Sequence, residues 1–135
     1  MNVFFDVDYT LISYEGALRP HVKEVFKALV DDGHRIYIWS GVGLRHRVIE
    51  HHGLTEFVSG IYVKPLEDHH ESLARLGVEV EPEFVIDDHR QVVDAFGGMH
   101  IVPYSYPSTH DTEMLRAYSL IKKASEVRAE DGTDD

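Results

Sequence analysis

Four short stretches carry side chains able to do chemistry: Asp6-Val7-Asp8-Tyr9-Thr10, Ser40-Gly41, Lys64-Pro65 and Asp87-Asp88. Together they offer four carboxylates, two aliphatic hydroxyls and one amine. Four carboxylates in one pocket cannot all stay ionised unaided. Two unit charges about 4 Å apart repel by about 4 kcal/mol at an effective dielectric near 20. Either some take up protons or a cation binds among them. Hard oxygen ligands, with no His or Cys in the set, favour Mg²⁺. In such a pocket one carboxylate can attack phosphorus and form an acyl-phosphate. A second can protonate the leaving oxygen and then activate water. Ser40 can donate a hydrogen bond to a phosphoryl oxygen, and Lys64 can supply positive charge as the transition state develops.

These groups act together only if the fold gathers them. Each stretch directly follows an apolar run of strand length: Val3-Phe4-Phe5, Ile36-Tyr37-Ile38-Trp39, the segment Phe57 to Val63, and Phe84-Val85-Ile86. Met99 to Val102 reads as a fifth strand. Helical spacing fills the gaps. Val22, Val25, Phe26, Leu29 and Val30 form one face of a helix that Pro20 opens and Gly33 stops. Leu44, Val48 and Ile49 mark a second helix, residues 68–76 a third, and Val92, Val93 and Phe96 a fourth. Ser108 or Thr109 is expected to cap a last helix bearing Met114, Leu115, Tyr118 and Ile121. Strands alternating with helices predict an α/β fold: a Rossmann-like, doubly wound three-layer sandwich around a parallel sheet of about five strands. Ligands of such sheets bind at the carboxyl ends of the strands, where the four stretches fall.

The segments FFDVDYTL, YIWSG, VKP and FVIDD, in this order, resemble the four motifs of the haloacid dehalogenase superfamily. The resemblance spans residues 1–102. It implies a Mg²⁺-dependent phosphohydrolase working through a covalent aspartyl-phosphate. Asp6 would be the nucleophile and a metal ligand. Asp8 would be the general acid and base, its backbone carbonyl also facing the metal, and Thr10 would brace the loop. Ser40, Gly41 and Lys64 would hold the phosphate. Asp87 and Asp88 would complete the metal site, with Asp88 the direct ligand and Asp87 in support.

Many members of this superfamily carry a lid domain. Here 29 residues separate Thr10 from Ser40 and 23 separate Ser40 from Lys64, enough for a helix and a strand each. The chain therefore reads as capless. An open site suits a phosphorylated small molecule, an exposed phosphoester on a larger substrate, or closure by a second copy of the chain. Leu11 to Leu18, turning at Glu15-Gly16, is expected to form a small flap. Tyr14, Arg45, His89 and Arg90 are candidate substrate contacts, Arg45 toward the phosphate; the competing reading of all four is a solvated surface.

The remaining features bound the answer. A 135-residue chain, 43% apolar, suffices for one core. We read residues 1–125 as one domain. Residues 126–135 read as an acidic, disordered tail. The net charge of −11 and the lack of a Lys/Arg stripe argue against duplex nucleic acid as a partner. No apolar run approaches a membrane span, and Asp6 and Asp8 interrupt any leader-like segment. With no cysteine, disulfides and thiolate chemistry are excluded. A cytoplasmic location is expected. The ten histidines, including the pairs His51-His52 and His69-His70, lack ligand spacing within each pair and read as surface residues.

Three rival functions share parts of this pattern. A phosphoacceptor receiver domain would place its Asp after the third strand and its Lys after the fifth, which is not the order here. An inactive binding scaffold would be expected to have lost Asp6 or Asp8. A dehalogenase has no need of an acid at position 8.

Overall fold

Strand β1, Asn2–Phe5, sends successive side chains to opposite faces of a sheet. Val3 and Phe5 enter one core with Phe26 and Leu29, whereas Phe4 enters a second with Tyr37, Trp39 and Val85. Both are continuous with the same five-stranded sheet, which is parallel throughout and ordered β3-β2-β1-β4-β5. Its other strands are β2 (Arg35–Ser40), β3 (Val58–Val63), β4 (Phe84–Asp87) and β5 (Gly98–His100). These come from a computed structural model, which describes residues 1–132.

Helices α1 (Val22–Asp31) and α5 (Glu113–Gly132) cover the Val3/Phe5 face, joined by Ile49 of α2 (His46–His51). Helices α3 (His69–Arg75) and α4 (Arg90–Phe96) cover the other, through Leu73, Val92 and Phe96. Aromatic rings pack that second layer: Phe4 lies 4.9 Å from Tyr37 and 4.6 Å from Trp39, and Trp39 lies 5.5 Å from Phe96. Each fully buried ring contributes roughly 1.5–3 kcal/mol. The result is the expected Rossmann-like three-layer sandwich.

The chain runs outward from β1 to β2 and β3, then crosses back to β4 and β5. The direction of winding thus reverses between β1 and β4, where a crevice opens at the carboxyl ends. Asp6 follows β1 and Asp87 ends β4, one on each side of it. Close approach at the outer edge requires Gly98, where a Cβ would sit 2.0 Å from the Val85 carbonyl oxygen. The intervals between Thr10 and Ser40, and between Ser40 and Lys64, hold only loops, α1 or α2, a 3₁₀ turn (Thr55–Phe57) and the strands. Among the described residues no helix is long and apolar enough to cross a membrane.

Several boundaries differ from the sequence expectation. Pro20 lies outside α1, because His21 turns left-handed at φ 71° before the helix begins. Leu44, expected in the second helix, precedes α2 and is exposed. The last helix starts at Glu113 rather than after Ser108 or Thr109. The Asp111 carboxylate accepts from the Glu113 N–H at 3.1 Å, which gives the first turn its partner. The same helix continues through residues 126–132, where a disordered tail was expected. Arg128 pairs there with Glu83 at 2.7 Å and ties the segment to the body. Residues 133–135 of that tail lie outside the described residues.

Candidate active site

The tight turn after β1 builds the site. Asp6 extends the ladder, its N–H donating to the Ile86 carbonyl at 3.0 Å. The chain then doubles back, with the Thr10 and Leu11 N–H groups donating to the Val7 carbonyl at 3.2 and 2.9 Å. Thr10 is buried, and its hydroxyl donates to Asp6 Oδ2 at 3.1 Å. That bond aims the carboxylate and occupies one of its oxygens.

Lys64 enters from the end of β3. Its N–H donates to the Ser40 carbonyl at 3.0 Å, which seats it beside β2. Its ammonium lies between two carboxylates, donating to Asp6 Oδ1 at 3.0 Å and Asp87 Oδ2 at 2.9 Å. All three side chains are buried. Burial alone would lower the Lys64 pKa, but the Asp6 and Asp87 charges outweigh it and hold the amine above its ordinary value. Asp6 moves the other way for a carboxyl. Burial, the neighbouring Asp87 charge and contact with Asp88 push it up to about 8, against the opposing pull of Lys64.

The acidic pair divides its work. Asp87 is fully engaged, with Oδ2 on Lys64 and Oδ1 accepting from the His89 N–H at 2.9 Å. Asp88 Oδ1 is buried with no hydrogen-bond partner, although His89 Nδ1 lies 3.3 Å away. Asp6, Asp87, Asp88 and His89 bring potential metal-ligand atoms within 4.8 Å of one another. His89 joins the expected acids in this cluster. The Asp8 carboxylate lies outside it, held by Arg45 with bonds of 2.6 and 3.2 Å, which leaves the backbone carbonyl as the group expected to face a metal.

Ser40 ends β2 with its hydroxyl accepting from the Val42 N–H at 3.3 Å, and Arg45 lies 3.5 Å from the same oxygen. A cleft of about 390 Å³ opens over the group. Asp6, Asp8, Ser40, Gly41 and Lys64 line it, together with Tyr9, Val42, Leu66, His69 and Val92. Tyr14 does not: it stands 84% exposed on the flap, which the Asp8–Ile12 and Ile12–Leu18 bridges tie to the Asp6 loop.

Arg19 is the residue that sequence reasoning missed. It is buried, and its guanidinium donates to the Tyr9 and Thr10 carbonyls, the Val102 carbonyl and both oxygens of Asp111. It lies 5.4 Å from the Tyr104 ring centroid, and the Tyr104 N–H donates to the Tyr9 carbonyl at 2.8 Å. The carbonyls of the Asp6 loop are thus fixed from behind by a segment nearly a hundred residues later. An arginine in a polar stretch gives no local sign of such burial.

No protein-family model matches the chain, and comparison with curated proteins finds no match.

Proposed function

We propose that the chain is a Mg²⁺-dependent phosphomonoesterase that works through an aspartyl-phosphate on Asp6. The observation that carries this reading is the shared ammonium of Lys64 between Asp6 and Asp87, beside a buried oxygen of Asp88 that accepts no hydrogen bond and has only His89 Nδ1 near it, at 3.3 Å. A structural ion pair has no use for two further acids and an orphaned acceptor. A phosphate site does: one acid to attack, the others to hold a cation.

The donor set fits Mg²⁺. Hard carboxylate oxygens predominate, and Asp88 Oδ1 has a lone pair to spare. Asp6, Asp88 and the Asp8 backbone carbonyl would hold the ion, with Asp87 in support. When bound it supplies positive charge that keeps Asp6 ionised and offsets phosphate repulsion.

The chain's own groups carry the rest. In the first step an Asp6 oxygen forms a bond to phosphorus as the bond to the ester oxygen breaks. Asp8, whose side chain is 44% exposed at the cleft, must leave Arg45 and take up a proton from solvent; it then gives that proton to the departing alcohol. Lys64 and the Ser40 hydroxyl stabilise the equatorial oxygens. In the second step Asp8 takes a proton from water, which attacks phosphorus, releases phosphate and restores Asp6. The resemblance to haloacid dehalogenase motifs implies the same roles.

Phosphate release from p-nitrophenyl phosphate tests the proposal. Turnover is expected with Mg²⁺ and not with EDTA. Asp6→Asn should abolish turnover and phosphoenzyme, and Asp8→Asn should slow dephosphorylation on this substrate and both steps on an alkyl phosphate. Undiminished turnover in EDTA, or an Asp6→Asn variant at the wild-type rate, would sink the mechanism.

A further inference from the structure

The mouth of the cleft concentrates apolar surface. Tyr9, Val42 and Leu66 line it and remain 38%, 77% and 68% exposed. Exposed side chains of this size gathered at one opening mark a place where apolar matter binds.

Two of them are positioned by unusual local structure. Tyr9 adopts φ 64°, a left-handed conformation that costs a residue with a Cβ roughly 1–2 kcal/mol. Glycine would sit there without strain. The turn thus carries a strained, partly exposed tyrosine that lines the same cleft as Asp6. Leu66 leans over Gly41, where a Cβ would come within 2.6 Å of Leu66 Cδ2. The missing side chain at position 41 is what lets Leu66 close down beside Ser40.

Charge narrows the ligand further. Lys64 is the only Lys or Arg among the described residues lining the cleft, and Asp6 and Asp87 already share it. Arg45 is paired with Asp8. Beyond Lys64 the walls offer only the imidazoles of His69 and His89 and no second Lys or Arg to hold a further phosphate or carboxylate, and the chain carries a net charge of −11.

Resting on the phosphatase reading, we infer that the preferred substrate is a phosphomonoester of an apolar, ring-bearing alcohol, whose ring packs against Tyr9, Val42 and Leu66 while its phosphate meets Asp6. Hydrolysis breaks the bond from phosphorus to the alcohol oxygen, and the alcohol leaves with the Asp8 proton.

The test compares kcat/KM for benzyl phosphate and glycerol 3-phosphate in Mg²⁺. Both release alkyl alcohols, so the comparison reads the cleft rather than leaving-group acidity. Wild type should prefer the benzyl ester by about tenfold or more, the discrimination that a few apolar carbons give. Tyr9→Gly should cut that preference without lowering Tm, because it removes the backbone strain. Leu66→Ser should cut it as well. A preference near unity in wild type, or one that survives in Tyr9→Gly, overturns this inference and leaves the phosphatase reading standing. A wild type inert toward both esters and toward p-nitrophenyl phosphate overturns both.

Discussion

Arg45 holds Asp8 by both carboxylate oxygens, at 2.6 and 3.2 Å, while Lys64 holds Asp6. Two acids only one residue apart are thus given different cations. The buried one faces an ammonium and the exposed one a guanidinium. The guanidinium holds Asp8 as a carboxylate, the form that accepts a proton from water, and must release it before Asp8 can protonate a leaving alcohol.

Arg45 was expected to contact phosphate; its partner here is Asp8. Arg45→Met should therefore impair proton transfer more than binding. We expect kcat/KM, which reads the first step, to fall by about 10- to 100-fold on alkyl phosphates, within the range that general acids supply. The fall should be much smaller on p-nitrophenyl phosphate, whose phenolate leaves without a proton. An equal loss on both esters, seen mainly in KM, would return Arg45 to the phosphate.

Lys64→Met removes the cation shared by two buried acids. Loss of one such donor should cost about 2.7–4 kcal/mol of transition-state stabilisation, read as kcat/KM. Thermal unfolding should also shift down, since Asp6 and Asp87 are left buried and facing each other. A change in kcat/KM below about tenfold would remove Lys64 from the chemistry.

Metal binding should release a proton. Without a cation the Asp6 carboxyl, at about 8, is largely protonated near neutral pH, and a metal ligand must be ionised. Calorimetric titration with Mg²⁺ at about pH 7, in buffers of different ionisation enthalpy, should show close to one proton released per ion. Asp6→Asn should lose that release. Heats independent of the buffer would contradict a protonated Asp6.

Arg19→Met should expose the role of the buried guanidinium. It strands the Asp111 carboxylate and frees the Tyr9 and Thr10 carbonyls. Breaking a buried pair of this kind costs about 3–5 kcal/mol, measurable by urea unfolding. In a cycle with Asp111→Asn the two losses should be far from additive. Additive losses would mean that the pair does not act as a unit.

His34 makes stability depend on pH. It is 8% exposed, with Nδ1 3.0 Å from the Met1 amino group. Burial, then that positive charge, hold its pKa below 6.5, against the upward pull of Asp32 and Glu83. The unfolded chain therefore takes up the proton first as pH falls. The His34 contribution is complete above 6.5 and is lost as pH drops from there toward the lower folded value. Between about pH 7.5 and 5.5, His34→Gln should lose less stability than wild type in urea unfolding. Equal slopes would place His34 in solvent.

The amino-acid sequence by itself determined the order of elements and the groups that meet at the crevice. Apolar runs of strand length ending in Asp6, Ser40, Lys64 and Asp87 are local patterns, and a parallel sheet aligns the ends of its strands. Polar ends on neighbouring strands must then converge. Tertiary structure alone decided the partners within that cluster. Nothing local distinguishes Asp87, bonded to Lys64, from Asp88, left with a bare oxygen, or directs Arg45 to Asp8. Nor does local spacing reveal that Arg19 is buried behind the Asp6 loop, that Tyr9 turns left-handed, or that α5 runs on to Gly132. Those outcomes depend on contacts between residues far apart in the chain. For Lys64, Arg45 and Arg19 the cause is the demand that a buried charge or carbonyl find a partner wherever the fold can bring one.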